Sequence, residues 1–243
     1  SVLLPQQDDL LVININTEKD RIDAQHSILA VKSKFPDDFI VCMIYTSGSS
    51  GKPKGVGIQN SSLVNRIHWM WNIYPFKSGE KCALKTSISF VDHIWELFGP
   101  LNKGVPSVLF TKNKVLDINE FLEDISNHNI TRLILVPSLL MAILDKLQSG
   151  EITLKNLKYW ISSGEQLSIN TIRYFYTLFS KHEHILINIY GSTEITADAT
   201  YYETNRYVNE SVSIPIGRPI ANTQIYILGP DQGLVPVGVT GEI

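Results

Sequence analysis

The sequence predicts an α/β protein in which layered, largely parallel sheets are flanked by helices. Over most of the 243 residues, short β-branched runs alternate with longer segments of helical periodicity, the pattern of parallel strands joined by helices. From about Pro215 the pattern changes to short runs broken by Gly and Pro, read IPIGRPIANTQIYILGPDQGLVPVG. We therefore expect a core over residues 1–212 and the start of a small β-barrel-like subdomain over residues 213–243.

The candidate strands are short runs rich in β-branched and aromatic residues, which fit a pleated, buried surface. In chain order they cover residues 11–15, 40–45, 56–58, 81–85, 107–110, 132–136, 159–162 and 185–190.

The candidate helices lie between these strands, behind residues that favour helix starts. Asn60 is expected to cap a helix over residues 61–73, and Asp117 one over residues 118–127. Two more are expected over residues 138–148, after Pro137, and over residues 170–180, with Ser168 as the cap. The HEH tripeptide at residues 182–184 lacks a third ligand nearby and is expected to be a solvated helix end.

The overall charge and the cysteines narrow the function classes. A formal net charge of −3 gives no electrostatic footprint for nucleic acid or for an acidic membrane surface. No apolar run approaches the roughly 18 residues that a membrane-spanning helix needs. Cys42 and Cys82 stand apart in apolar surroundings, which indicates buried thiols in a reducing compartment and predicts the cytoplasm. The absence of an initiator methionine and the ending GEI suggest a piece of a longer chain.

Residues 45–55, read YTSGSSGKPKG, place glycines, hydroxyls and lysines directly after an apolar run. Gly48 and Gly51 leave backbone N–H groups open to phosphate oxygens. Further donors come from Thr46, Ser47, Ser49, Ser50, Lys52 and Lys54. The spacing departs from the G-x-x-x-x-G-K-[ST] loop, because the glycines are too close and Lys52 precedes proline. A flexible surface loop is the alternative reading, but the flanking apolar runs favour a strand, a phosphate-binding loop and a second strand.

A second polar cluster follows the strand predicted at residues 185–190. Tyr190, Gly191, Thr193 and Glu194 stand at the carboxyl end of this strand, where α/β proteins bind ligands. Tyr190 offers an aromatic face for a base, Thr193 a hydroxyl for phosphate, and Glu194 a hard oxygen for Mg²⁺. Taken alone, the cluster could equally be a capped turn with a solvated glutamate.

Four motifs in this order resemble those of adenylation domains of the acyl-activating superfamily, which includes nonribosomal peptide synthetases, acyl-CoA synthetases and luciferases. They are YTSGSSGKPKG, FVDHIWELFGPL, ISSGEQLS and NIYGSTE, and GRPIANTQIYIL resembles the start of the family's third subdomain. The resemblance implies that residues 1–212 are part of the core that binds nucleotide and acyl substrate. It also implies a reaction in which a carboxylate attacks the α-phosphate of ATP, after which a phosphopantetheine thiol on a carrier protein domain takes the acyl group.

The resemblance assigns roles to residues of both polar clusters. It places Lys54, Thr193 and Glu194 in catalysis, with Glu194 also holding Mg²⁺. The nucleotide-binding set that it implies is Thr46, Ser47, Gly48, Ser49, Ser50, Gly51, Asn188, Tyr190 and Gly191. The acid-binding set that it implies is Phe90, Val91, Asp92, Trp95, Ser138, Ile161, Ser163, Ile189, Ala197 and Asp198.

Val91 bears on which acid is activated. In family members that activate α-amino acids, an aspartate usually stands at this position and pairs with the α-ammonium. A buried ammonium without a partner costs several kcal/mol, so an ordinary α-amino acid is disfavoured here. Asp198 on another wall could pair with an amine one carbon further from the carboxylate, which favours a small β-amino acid, in particular β-alanine. The alternative is an uncharged acid, with Asp198 as a solvated turn residue.

Two other functions stay open beside the carrier-loading enzyme. One is a free-standing acyl- or aryl-CoA ligase, and the other is a nucleotide-binding remnant without chemistry. The resemblance places a ribose-binding aspartate and a lid lysine beyond Ile243, so this segment alone is expected to be inactive. Ser192 and Asn60 also depart from the proline and the histidine that the family often carries.

Overall fold

The computed structural model describes residue 36 and residues 38–47, 51–179, 183–204 and 213–243. The chain divides into two units, Ser1–Pro36 and Asp37–Ile243, and every described helix and strand belongs to the second. The strand predicted at residues 11–15 lies outside the described residues.

The first element is a hairpin of two antiparallel strands, β1 (Ile40–Thr46) and β2 (Lys54–Gln59). Thr46 pairs with Lys54 at its loop end, so the chain between them is the glycine-rich segment. Ile44 and Ile58 are buried and fix which face of the hairpin packs inward. The two predicted strands are confirmed, and the phosphate-binding role of the segment between them stays a prediction.

The second sheet has seven strands and is mixed. They are β3 (Cys82–Leu84), β4 (Ser107–Leu109), β5 (Arg132–Leu135), β6 (Tyr159–Ser162), β7 (Ile185–Tyr190), β8 (Thr200–Glu203) and β9 (Arg218–Pro219). The order is β4-β3-β5-β6-β7-β8-β9. The first five run parallel, whereas β8 and β9 join antiparallel. The predicted α/β class is confirmed, and β8, which the sequence analysis did not find, turns the sheet antiparallel at one edge.

Six α-helices connect these strands within the described residues. They are α1 (Asn60–Ile73), α2 (Asp92–Leu101), α3 (Lys112–Leu116), α4 (Ile118–Asn127), α5 (Pro137–Leu147) and α6 (Ile169–Leu178). The Asp117 carboxylate accepts from the N–H groups of Asn119 at 3.0 Å and Glu120 at 3.2 Å, so it caps α4 as predicted. Ser168 likewise caps α6. The cap predicted at Asn60 is wrong, because Asn60 is the first helical residue and no side chain caps α1.

The sheet buries a different cluster on each face, because successive side chains of a strand point to opposite sides. Leu133 and Leu135 of β5 pack with α4, α5 and α6, whereas Ile134 packs with α1 and α2. His184 belongs to the first side: it is 5% exposed and packs on Phe179, with ring centroids 4.4 Å apart. The solvated helix end predicted for the HEH segment is therefore wrong at His184, because the histidine fills an aromatic cluster.

Residues 213–243 contribute β9 and then only isolated bridges, from Leu228 to Leu234 and to Glu242. No closed barrel forms within these described residues. The boundary at residue 213 and the start of a subdomain there stay predictions.

Candidate active site

The glycine-rich segment is held at the end of the first hairpin. Thr46 and Lys54 are paired there, Ser47 is exposed, and Gly51 has the positive φ of 77° that favours glycine. Gly48, Ser49 and Ser50 lie outside the described residues. The hairpin thus presents Thr46, Ser47 and Lys54 together at one end.

The carboxyl end of β7 turns sharply into the motif that carries Glu194. A Cβ at Gly191 would lie 1.9 Å from the carbonyl oxygen of Ala197, so only glycine fits. Thr196 and Ala197 both have left-handed backbone, with φ of 60° and 75°. Between these positions a 3₁₀ helix covers Thr193–Ile195. This tight loop presents Thr193 and Glu194 at the tip of the sheet.

The two polar clusters meet. β2 contacts the 3₁₀ helix that carries Glu194. The pKa of the Glu194 carboxyl is lowered by its own backbone N–H, by the Ser192 hydroxyl and by the positive charge of Lys54. The contact between β2 and the 3₁₀ helix thus brings the segments that carry Lys54 and Glu194 together, although 140 positions separate these residues in the sequence. An ionised carboxylate and a lysine suit a site for a metal-bound polyphosphate.

A cleft of about 440 Å³ opens beside the tip of β7. Asn188, Tyr190 and Gly191 line one side, and the turn after β6, including Gly164 and Glu165, lines the other. The cleft thus contains three residues to which the sequence analysis gave nucleotide contacts. The Tyr190 ring is 46% exposed, which leaves a face open for stacking.

Some polar groups around the cleft are already engaged within the protein. The side-chain amide of Asn188 donates to the carbonyl of Pro215 at 3.1 Å. Ser138, the second residue of α5, donates both its backbone N–H and its hydroxyl to the Glu165 carboxylate, each at 3.0 Å. These bonds fix the rims of the cleft.

The predicted acid-binding residues lie on four elements, α2, α5, β6 and β7, and on the segments before α2, after β6 and after β7. Phe90 is 64% exposed, whereas Val91 is 7% exposed and packs in the apolar cluster beneath α1 and α2. Asp92 accepts a hydrogen bond from the Trp95 indole at 3.1 Å. The buried members are Val91, Trp95, Ile161, Ser163, Ile189, Ala197 and Asp198.

Asp198 is paired inside the protein, with a residue that the sequence analysis did not single out. Its Oδ2 accepts from Nε of Arg66, and both side chains are buried. Burial raises the pKa of Asp198 to about 6, against the lowering effect of Arg66, and the nearby Asp92 charge raises it further. The solvated turn residue considered as an alternative is therefore wrong, because Asp198 is 2% exposed.

Glu96 is a second buried acid that the sequence analysis missed. It accepts from the backbone N–H groups of Lys85 at 3.1 Å and Thr86 at 2.8 Å, and so holds the chain that leads from β3 towards Phe90. Burial raises the pKa of Glu96, against the lowering effect of the Lys85 charge. Helical periodicity could have located both missed residues, because Arg66 and Glu96 fall among the buried positions of α1 and α2.

The described residues contain no cluster of three or more His, Cys, Asp or Glu side chains able to hold a metal ion. A single carboxylate such as Glu194 still fits Mg²⁺, which proteins usually bind through one or two carboxylates and the phosphates of the substrate. Among the described helices, none is long and apolar enough to cross a bilayer. The tip of this mixed sheet contacts the hairpin that carries the glycine-rich segment and lies beside the cleft lined by Tyr190.

The chain belongs to the AMP-binding enzyme family, whose model matches residues 3–243. It is 38% identical over 215 residues to the beta-alanyl-bioamine nonribosomal peptide synthetase ebony of Drosophila melanogaster, covering 85% of this chain and 24% of ebony. It is 36% identical over 211 residues to zwittermicin A synthase ZmaJ of Bacillus cereus, covering 86% of this chain and 40% of ZmaJ. The chain therefore spans less than half the length of these relatives.

The fold is also that of solved adenylation domains. The Vibrio cholerae adenylation domain AlmE, in complex with glycyl-adenosine-5'-phosphate, superimposes with a TM-score of 0.73 at 23% identity, covering 85% of this chain and 38% of AlmE. The AMPPNP-bound nonribosomal peptide synthetase FmoA3 gives a TM-score of 0.73 at 21% identity, covering 80% of this chain and 20% of FmoA3.

Proposed function

We propose that the chain contributes the nucleotide- and acyl-binding core of an enzyme that activates β-alanine, or another small β-amino acid, with ATP and Mg²⁺. The acyl-adenylate then passes to the phosphopantetheine thiol of a carrier protein domain, in the cytoplasm. The observation that carries the proposal is the contact of β2, which begins at Lys54, with the 3₁₀ helix that carries Glu194, beside the cleft lined by Tyr190.

The charges at this cleft suit the joining of two anions. A substrate carboxylate and a triphosphate repel each other, so fixed positive charge and oriented donors lower the barrier to their reaction. Lys54 supplies a cation, Thr193 a hydroxyl, and the ionised Glu194 a ligand for Mg²⁺, which when bound would neutralise phosphate charge. The carboxylate oxygen forms a bond to the α-phosphorus as pyrophosphate leaves.

The acid-binding side supports a substrate amine displaced from the α position. Val91 packs in an apolar cluster and offers no partner for an α-ammonium. Asp92 and Asp198 are close enough that the charge of Asp92 raises the pKa of Asp198, so negative charge gathers beyond Val91. The relative ebony is named for a beta-alanyl product.

The test is ATP–pyrophosphate exchange by the complete encoded protein, with β-alanine, several α-amino acids, benzoate and short fatty acids as substrates. We expect the largest kcat/KM with β-alanine. Strong exchange with an α-amino acid, and none with β-alanine, would falsify the substrate assignment. Product transfer to free coenzyme A instead of a carrier domain would identify an acyl-CoA ligase.

Two lysines on either side of Pro53 provide a matched test of the nucleotide site. Lys54→Met should lower kcat for exchange at least 10-fold, since a cation facing the phosphates is lost. Lys52→Met removes the same charge from a position without a resolved effect on Glu194 and should change kcat less than 3-fold. Equal effects of the two substitutions would argue against the proposed role of Lys54.

A further inference from the structure

Arg66 is a charged side chain on the buried face of α1. It is 1% exposed, and its guanidinium carbon lies 4.3 Å from the Trp95 ring centroid and 4.8 Å from that of Trp69. Nε donates to Asp198, whereas Nη1 and Nη2 meet no hydrogen-bond partner among the described residues. The two aromatic faces therefore hold the cation and fix its direction.

The ion pair with Arg66 occupies one carboxylate oxygen of Asp198 and leaves the other oxygen without a partner in the part of the chain that the structure describes. Oδ2 accepts from Arg66, but the buried Oδ1 has no hydrogen-bond partner among the described residues. Buried carboxylate oxygens normally accept a hydrogen bond, so Oδ1 is an acceptor that awaits a donor. The Asp198 side chain is sealed from water, so bulk water does not supply that donor.

The charges around Asp198 leave a net deficit of one positive charge. Asp92 and Asp198 are both negative when ionised, and Arg66 is the positive group that contacts Asp198 directly. Glu96 and Lys85, further along the same wall, interact with each other and contribute no net charge. A single ammonium group would bring the whole cluster to neutrality, which a buried site requires for stability.

We propose that Arg66 is a positioning residue for substrate specificity: clamped between Trp69 and Trp95, it holds Asp198 by one oxygen and turns the other towards the substrate ammonium. This inference rests on the proposed function and names the class of acid that the site accepts, namely acids that carry one positive charge. Arg66 acts through Asp198 and does not touch the reacting carboxylate.

The test measures ATP–pyrophosphate exchange of the complete encoded protein with β-alanine, with the uncharged butyrate and with varied ATP. Arg66→Met should raise the KM for β-alanine at least 10-fold and change kcat and the KM for ATP less than 3-fold. Arg66→Lys keeps the charge and should restore part of the affinity. Arg173→Met, which removes an exposed arginine from α6, is the control and should change nothing.

A second variant guards against a folding defect. Arg66→Met/Asp198→Leu removes both charges, so it should fold while still showing a KM for β-alanine raised at least 10-fold, and it should gain exchange with butyrate. A double variant with the wild-type KM for β-alanine would overturn the inference, as would equal increases in KM for ATP and β-alanine in Arg66→Met.

If the unaltered protein activates no amine-bearing acid, the proposed function itself fails. If it activates β-alanine and Arg66→Met leaves that KM unchanged, the role of Arg66 alone is wrong.

Discussion

The two faces of the large sheet bury different kinds of side chains. The face covered by α4, α5 and α6 packs aliphatic and aromatic side chains such as Leu140 and Phe175, which are fully buried. The face covered by α1 and α2 contains the four charged side chains that are buried within the described residues, Arg66, Glu96, Arg132 and Asp198. Among the predicted acid-binding residues, Val91, Trp95, Ile161, Ile189 and Ala197 pack in the cluster of the second face, and none packs in that of the first.

The difference separates a face that supports the fold by apolar packing from a face whose buried charges we propose to serve a ligand. Apolar burial stabilises at about 25 cal/mol per Å² without directional demands. A buried ion pair contributes little net stability but is costly when one partner is lost. Arg132 shows a structural use of such a pair, since it bonds Glu80 at 2.6 Å and the Tyr74 carbonyl at 2.7 Å. Arg66 and Asp198 lie beside predicted pocket residues, where charge has a further use.

The largest loss of stability and activity is expected from a substitution of Gly191, in the loop that joins the candidate active site to the charged face. Gly191→Ala would place a Cβ 2.7 Å from the Asp198 Cα and closer still to the Ala197 carbonyl. We expect a loss of about 3–5 kcal/mol in the free energy of unfolding, the range of severe single substitutions, together with loss of exchange activity. The control is Gly99→Ala in α2, where a Cβ meets nothing within 4 Å. Urea unfolding and the exchange assay measure both, and a stable, active Gly191→Ala protein would contradict the loop geometry.

The ion pair between Arg66 and Asp198 should contribute little net stability, but the loss of one partner should be costly. Arg66→Met leaves Asp198 buried without a counter-charge and should cost about 3–5 kcal/mol, whereas Arg66→Met/Asp198→Leu should be within about 1 kcal/mol of the unaltered protein. Urea midpoints of the two variants provide the comparison. If the double variant is the less stable of the two, the pair is itself a net source of stability.

The apolar face should respond in stability alone. Leu140→Ala removes a fully buried side chain of α5 and should cost about 2–5 kcal/mol, with the KM for β-alanine unchanged. Leu101→Ala, at a position 58% exposed, is the control and should cost much less. A selective change in KM from Leu140→Ala would remove the distinction between the two faces.

The smallest effect is a pH dependence on the apolar face. Burial lowers the pKa of His184 from its ordinary 6.5, against the raising effects of the Leu157 carbonyl and Glu183. The unfolded chain therefore takes up the proton first, so stability is full above pH 6.5 and falls as the pH drops towards the folded-state pKa. His184→Phe should reduce this loss in urea unfolding at pH 7.5 and 5, whereas His128→Phe at an exposed position should retain it.

Much of the fold could be predicted because periodicity and caps are local. The strands at residues 159–162 and 185–190 and the helix at 118–127 have the predicted bounds. β8, read TYYE, was missed because its four residues lack an apolar run and it is held by its neighbours. His184 was misjudged because its burial depends on Trp160 and Phe179, which sequence spacing does not bring together.

The candidate site could be predicted only as far as its motifs extend. Tyr190 and Glu194 lie in a recognisable run, whereas Arg66 lies 132 positions from its partner Asp198 and follows no motif. The sequence does contain one signal for Arg66, because a charged residue stands on the apolar side of an amphipathic helix. Its partner Asp198 can be identified only from the tertiary structure.

The loop between β7 and β8 joins the two halves of the proposed chemistry in one short piece of chain. Tyr190 is bonded through its carbonyl to the Ala199 N–H at 2.9 Å, which closes the loop at its base, and Asp198 sits next to that bond. A substitution of Asp198 that is meant to change the accepted acid would therefore also disturb the loop that carries Tyr190 and Glu194. To change the accepted acid, residues 190–199 would have to be replaced together with Arg66 of α1 by the corresponding residues of a relative.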